Sequence, residues 1–256
     1  MRQSSRVMIA VFATAVLGSG GALTAAGAPP GPATNVVLVH GAFADGSSWS
    51  KVIPLLLAKG LKVTAVGNPL TSFADDVAAT RRAIAAQDGP TVLVGHSYGG
   101  VVITEAGNDP KVASLVYVAA FAPDMNEALG GLLQRFPDLG LGKALVPDAE
   151  GFLYIDPAQY PVVFANGLPL KQAAAFATEQ KPIAGSALGE ALTTPPAWKT
   201  IPSWYVVGTE DRAINPELER FMAKRMGAKV TELKSGHLVF IARAPEVARI
   251  IEDAAK

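Results

Sequence analysis

The sequence predicts an α/β fold: a mostly parallel six-stranded sheet flanked by helices, with a small helical cap. Three observations carry this expectation. Short apolar runs recur along the chain, helical patterns fall between them, and one long stretch breaks that alternation. Strands that alternate with helices at this spacing build βαβ units, and βαβ units give parallel sheets.

Taken in order, Val36-Val37-Leu38-Val39 is a continuous apolar run, as expected of a strand buried on both faces, and it ends in His40-Gly41. Trp49 to Lys59 has helical spacing, and Lys62 to Val66 reads as the second strand. Phe73 to Gln87 is an amphipathic helix, with Val77, Thr80 and Ile84 on one side and Asp75, Asp76, Arg81, Arg82 and Gln87 on the polar face. Thr91 to Val94 is a third buried strand that runs into Gly95-His96-Ser97-Tyr98-Gly99, and a helix continues over Val101 to Asn108. Further strands follow at Lys111–Ala119, Trp204–Gly208 and Lys229–Leu233. Helices at Pro216–Met226 and Pro245–Ala255 each begin with a proline, which the first helical turn tolerates because its N–H would be unpaired there anyway. Between Pro123 and Lys199 the alternation stops, and several short apolar helical patterns separated by Pro and Gly take its place. A stretch of roughly 75 residues is too long for a plain loop, so it reads as a cap over the C-terminal edge of the sheet.

Composition excludes several functions. The chain has 256 residues, 22 Lys and Arg against 22 Asp and Glu, and no cysteine. Balanced charge without basic runs gives no electrostatic basis for binding nucleic acid. Without cysteine there are no disulfides, thiolate metal sites or cysteine nucleophiles. Three histidines, each placed in its own motif, leave no metal cluster, so no metal is expected. Gly41 and Gly46 are wrongly spaced for a dinucleotide fingerprint, and no cofactor is expected.

The N-terminus reads as an export signal over residues 1–28. Arg2 and Arg6 precede an apolar stretch, Val7 to Leu17, and small residues follow, with Thr24-Ala25-Ala26 and Ala26-Gly27-Ala28 as cleavage sites. An uncleaved anchor is the alternative, disfavoured because the apolar stretch is short for a span of ~20 residues. A linker over 29–34 leads into the domain at 35–256, whose cap covers about 123–199, and the expected product is periplasmic or secreted with no stable membrane span.

The chemistry centres on Ser97. A serine hydroxyl presented from a tight strand-to-helix turn needs small residues on both sides, and Gly95 and Gly99 supply them. The following helix turns its free N–H groups toward the site and favours negative charge there. A serine nucleophile needs a base. His96 lies in the turn itself and is poorly placed to meet the hydroxyl, so it reads as a packed support. His40 ends the first strand and introduces a loop, which leaves His237, in Ser235-Gly236-His237 after the last strand. The base needs a carboxylate to hold its tautomer. Asp211, in Gly208-Thr209-Glu210-Asp211, is the choice, with Glu210 the nearest rival and Asp124 a more distant one. Two backbone N–H groups must meet the developing oxyanion. Tyr98 supplies one, and the loop after Gly41 supplies the other, from Ala42 or, next in line, Phe43.

Val37-Leu38-Val39-His40-Gly41-Ala42, Trp49, Leu93 to Gly100, Gly208 to Asp211 and Gly236-His237 resemble the plant methylesterase and hydroxynitrile lyase branch of the α/β-hydrolases, and bacterial pyrethroid-hydrolase-like esterases. The resemblance runs from about Asn35 to the C-terminus and is weakest in the cap. It implies the α/β-hydrolase fold and the order Ser97, Asp211, His237 for a catalytic triad. It also implies a choice of chemistries. Lyases of this branch carry a threonine in the oxyanion loop and a lysine beside the catalytic histidine, where this chain has Gly41 and Leu238. That favours an esterase over a hydroxynitrile lyase. A cofactor-free perhydrolase would use the same triad with peroxide as acyl acceptor, and a non-enzymatic small-molecule receptor would use the fold without a working nucleophile. Eight acidic against four basic residues from Ala122 to Trp198 give no site for an anionic substrate, so a small uncharged carboxylic ester is expected.

Overall fold

The structure, a computed structural model, describes residues 31–256. The export signal expected at 1–28 therefore lies outside the described residues. Among those described, no helix is long and apolar enough to cross a membrane.

In chain order the elements are β1 (Asn35–Val39), a 3-10 turn (Gly46–Lys51), α1 (Ile53–Leu57), β2 (Lys62–Val66), α2 (Phe73–Ala85), β3 (Thr91–Ser97), α3 (Gly99–Ala106) and β4 (Val112–Ala120). A second group follows: α4 (Leu129–Leu133), α5 (Leu141–Ala144), β5 (Leu145–Pro147), β6 (Phe152–Ile155), α6 (Tyr160–Val163), α7 (Leu170–Glu179), β7 (Ile183–Ala184) and α8 (Gly185–Gly189). The chain then returns to the sheet through a 3-10 turn (Ala197–Lys199), β8 (Ser203–Gly208), α9 (Pro216–Met226), β9 (Lys229–Leu233), α10 (Val239–Ala242) and α11 (Ala244–Ala254).

Six strands form one sheet in the order β2-β1-β3-β4-β8-β9, and every neighbouring pair is parallel. Burial follows position in that order. The residues of β1 and β3 are all buried, while the edge strands β2 and β9 are largely exposed or half-buried. Helix ends follow the local chemistry: the Ser72 side chain accepts from the Asp75 amide to start α2. Asn215 starts α9, with Pro216 in its first turn, and Gly227 ends it with a φ of 65°.

Three expectations need correcting. The continuous helix over Trp49–Lys59 is instead a 3-10 turn and α1. Pro54 has no N–H to carry a helical ladder across that point and sits at the start of the second piece. The cap is not purely helical, since β5, β6 and β7 form an antiparallel three-stranded sheet within it. Strands of three, four and two residues are too short for periodicity to separate them from helix. Finally, Asp76 is not on the polar face of α2 but completely buried.

Candidate active site

Ser97 closes β3 where the chain turns into α3. Its φ of 53° lies in the left-handed region, which costs a residue with a side chain about 1–3 kcal/mol. The flanking glycines make the turn sterically feasible. A Cβ on Gly95 would lie 2.6 Å from the Gly99 carbonyl oxygen, and one on Gly99 would lie 2.5 Å from that of Val39. On the other side, the β3–β4 register slips between His96 and Ser97, so Ser97 pairs with Ala120 and accepts the Phe121 amide at 3.1 Å.

His237 follows β9 and is wholly buried. Its Nδ1–H donates to Asp211 Oδ2 at 2.6 Å, which fixes the tautomer and leaves the Nε2 lone pair as the basic position. Nε2 makes no hydrogen bond to Ser97 Oγ or to any other group among the described residues. Asp211 is held in turn by the Ala213 and Ile214 amides, which donate to Oδ1 at 2.7 and 2.9 Å. The two rival carboxylates face elsewhere. Glu210 lies 3.7 Å from Lys234 Nζ, and Asp124 pairs with Lys199 at 2.6 Å. The structure thus brings Asp211 and His237 together and leaves Glu210 and Asp124 apart from the imidazole.

His96 has the support role its position implied. It is fully buried, and its Nε2–H donates to the His237 carbonyl at 3.1 Å. The two rings lie 4.6 Å apart, with Phe240 4.5 Å from His96 and Phe164 of the cap 4.8 Å from His237. Burial first, and the neighbouring His237 second, hold His96 well below the usual imidazole range, so it stays neutral.

The amides of Ala42, Phe43 and Tyr98 donate to no acceptor among the described residues, and two buried polar anchors fix the backbone that carries them. His40 Nδ1–H donates to the Gly41 carbonyl at 2.8 Å, while its Nε2 accepts the Asn68 amide at 2.9 Å. Burial pushes His40 down to about 4, which keeps it neutral in this role. The Tyr98 hydroxyl donates to Asp76 Oδ2 at 2.8 Å, and Asp76 Oδ1 accepts the Leu70 amide at the same distance. Asp76 escaped the sequence reading because a carboxylate next to Asp75 on a helix reads as solvated surface. Asn166 of the cap escaped it too: its Nδ2–H donates to the Glu210 carbonyl at 2.7 Å, and its backbone presses on Gly236, where a Cβ would lie 2.3 Å from the Asn166 oxygen. No motif marks it.

Ser97 is only 6% exposed. A groove of about 320 Å³ runs between the loop from Phe43 to Lys51, the cap residues Tyr160, Gln172, Phe176 and Glu179, and Leu238 and Ile241, and it reaches the chain neighbours of Ala42 and His237 without being lined by Ser97 itself. Its walls are mostly apolar, with Asp45, Lys51 and Glu179 as charged members.

A parallel sheet with a serine in a strained strand-to-helix turn and a buried Asp–His pair at the same edge defines a family. The chain belongs to the α/β hydrolase family, whose model matches residues 36–250. Among curated proteins it is similar to a carbendazim hydrolyzing esterase of Nocardioides sp. (strain SG-4G), with 36% identity over 117 residues, 40% of this chain and 48% of that one. The match thus spans about half the length of that relative. Polyneuridine aldehyde esterase of Rauvolfia serpentina is 25% identical over 248 residues, 85% of this chain and 94% of its own. Among solved structures, a pyrethroid hydrolase from Sphingobium faniae JZ-2 superposes with a TM-score of 0.72 at 22% identity, covering 87% of this chain and 97% of the other.

Proposed function

We propose that this protein is a serine esterase that cleaves uncharged carboxylic esters through an acyl-enzyme intermediate. The observation that carries the reading is the buried His237–Asp211 pair at the same sheet edge as Ser97. His237 Nε2 takes the proton of Ser97 Oγ as the oxygen attacks the ester carbonyl, through a hydrogen bond that forms when substrate binds. The Ala42 and Tyr98 amides hold the oxyanion, each worth about 3 kcal/mol of transition-state stabilisation. The imidazolium, balanced by Asp211, then gives its proton to the leaving alcohol. In the second half His237 activates water, which releases the acid and restores Ser97. No metal or cofactor takes part in these steps.

Gly41 weighs against the hydroxynitrile lyase alternative. A Cβ at that position would lie 2.7 Å from Ser97 Cβ and 2.9 Å from the His96 carbonyl oxygen, so a threonine there requires the nucleophile turn to shift. Leu238 is a buried apolar residue where a lyase needs its lysine. The same reading takes the groove lined by Phe43 and Leu238 as the approach for an apolar group of the substrate, and the export signal read at residues 1–28 makes the protein periplasmic or secreted.

The test is turnover of p-nitrophenyl esters, methyl esters and lactones by purified protein, with Ser97→Ala as control, alongside labelling by a fluorophosphonate probe. Hydrolysis that disappears in Ser97→Ala, with Ser97 labelled in the parent, is the expected result. Equal turnover by the two proteins would remove Ser97 from the reaction. An unlabelled parent that still binds esters would make the protein a receptor.

A further inference from the structure

Helix α9 brings to the site a carboxyl group that the reaction above does not use. Glu219 is completely buried, and it shares Gly208 with Asp211: the Asp211 amide donates to the Gly208 carbonyl at 3.0 Å, and a Cβ on Gly208 would lie 3.5 Å from Asp211 Cβ. Glu219 Oε2 accepts the Gly208 amide at 3.3 Å, but Oε1, also buried, receives no N–H or other donor among the described residues. Asp211 is supplied quite differently: two amides reach Oδ1, and His237 Nδ1–H reaches Oδ2.

Two carboxyl groups held on one residue and away from water cannot both be ionised at little cost. Three N–H donors surround Asp211 and one reaches Glu219, so the negative charge belongs on Asp211 and the proton on Glu219. Burial, with the Asp211 charge next, holds the Glu219 carboxyl well above the ordinary carboxylate range. Other groups nearby leave this balance in place. Tyr205 of β8 donates its hydroxyl to the Ala120 carbonyl, and burial keeps it un-ionised. Tyr117 of β4 is likewise buried and paired with Thr104. Arg220, the next residue on α9, spends its guanidinium on Glu217 and Glu232 at the surface.

We propose that Glu219 is a neutral carboxylic acid whose Oε1–H donates to Asp211, which makes it a positioning residue for the Asp211–His237 pair. A proton on Oε1 supplies the orphaned oxygen with an acceptor, and gives Asp211 a fourth donor. That donor limits how strongly the carboxylate draws on the imidazolium. The inference rests on the triad reading above, since it assigns Glu219 a part in that triad.

The first measurement needs no turnover. The infrared difference spectrum of Glu219→Gln against the parent protein, near neutral pH, should lose one C=O band of a protonated carboxylic acid. Absence of that band overturns the proposal. The second measurement is the pH profile of kcat/KM. Glutamine keeps an acceptor for Gly208 and an N–H for Asp211, so Glu219→Gln should stay within about threefold of the parent with its acid limb in place. Glu219→Leu matches the size and has no donor, and it should lose about tenfold or more in kcat/KM. Its acid limb should move to higher pH, because the less neutralised Asp211 favours the imidazolium. A leucine variant with the parent's rate and acid limb overturns the proposal, and so does a glutamine variant as impaired as the leucine one. If Glu219→Leu does not fold, the infrared band and the glutamine variant decide. If the parent hydrolyses no ester, the esterase reading fails, and the infrared band alone supports or overturns a protonated Glu219.

Discussion

The C-terminal edge of the main sheet and the cap above it are held together in different ways. At the sheet edge, constraints are stacked on each position. Ser97 is fixed by glycine contacts on one side and a register slip on the other. The backbone on either side of Ser97 is pinned by His40 and, through Tyr98, by Asp76. The cap is a set of short elements, whose longest helix has ten residues, and it carries the exposed apolar side chains Val146, Val162 and Leu170. It meets the body through separate ties: Lys181 Nζ to the Asn68 carbonyl at 2.5 Å, the Ala184 amide to Leu70 at 2.8 Å, Asn166 to Glu210, and the Thr194 hydroxyl to Glu105 Oε2 at 2.6 Å. An over-determined edge suits chemistry, which fails when donors move by a fraction of an ångström. A loosely tied cap suits the choice of substrate, which changes with side chains that few other contacts constrain.

The sharpest way to break this contrast is at the carboxylates. Asp211→Asn should lower kcat by about 10⁴-fold, because an amide that donates to Nδ1 imposes the wrong imidazole tautomer. Glu210→Gln, one residue away, should change kcat/KM by less than about twofold, as its surface pairing with Lys234 is worth little. If the two variants were equally impaired, the edge would not discriminate between neighbouring residues as its geometry requires. Steady-state kinetics on one p-nitrophenyl ester suffices.

How much of this was legible in the residues divides along the same boundary. Every main-sheet strand falls within a few residues of its reading: the central ones because a strand buried on both faces is a nearly unbroken apolar run, as in Val36–Val39 and Thr91–Val94, and the exposed edge strands Lys62–Val66 and Lys229–Leu233 because their β-branched residues fall between helical patterns. Ser97, His237 and Asp211 could be named as candidates because the turn demands glycine and only three histidines exist. In the cap, Phe152–Ile155 is four apolar residues whose strand character comes from partners at Leu145–Pro147 and Ile183–Ala184, and no local pattern encodes that pairing. Asp76, Asn166 and Glu219 were illegible for a related reason. Each is a polar residue on a helix or loop whose burial depends on a distant neighbour: Tyr98, Gly236 or Asp211.

A smaller effect separates the edge from the cap by acid. His40 and His96 are both buried at the edge, and both have imidazoles held below the ordinary range by that burial. Such a group stabilises the fold above its unfolded value near 6.5, and the contribution is lost as pH falls toward the folded value. For His40, held at about 4, this is on the order of 3 kcal/mol. Thermal unfolding followed from pH 7 down to 4 should therefore show stability falling through that window. In His40→Gln the slope should be shallower, even though the variant starts less stable. An unchanged slope would mean that His40 takes up no proton on unfolding in this pH window.

The smallest expected effect tests whether the cap braces the edge or only covers it. Asn166 is the cap residue that touches both loops carrying the Asp211–His237 pair, through its bond to Glu210 and its contact with Gly236. Asn166→Ala removes one side-chain hydrogen bond, worth about 1 kcal/mol, and should lower Tm by about 2–4 °C. If the contact braces the two loops, kcat should fall several-fold while KM for a small ester barely moves, because a slightly displaced base slows chemistry more than binding. If the cap only covers the site, KM should rise with kcat unchanged. A loss as large as that of Asp211→Asn would place Asn166 within the chemistry itself, and the distinction between a rigid edge and a tolerant cap would fall at that residue.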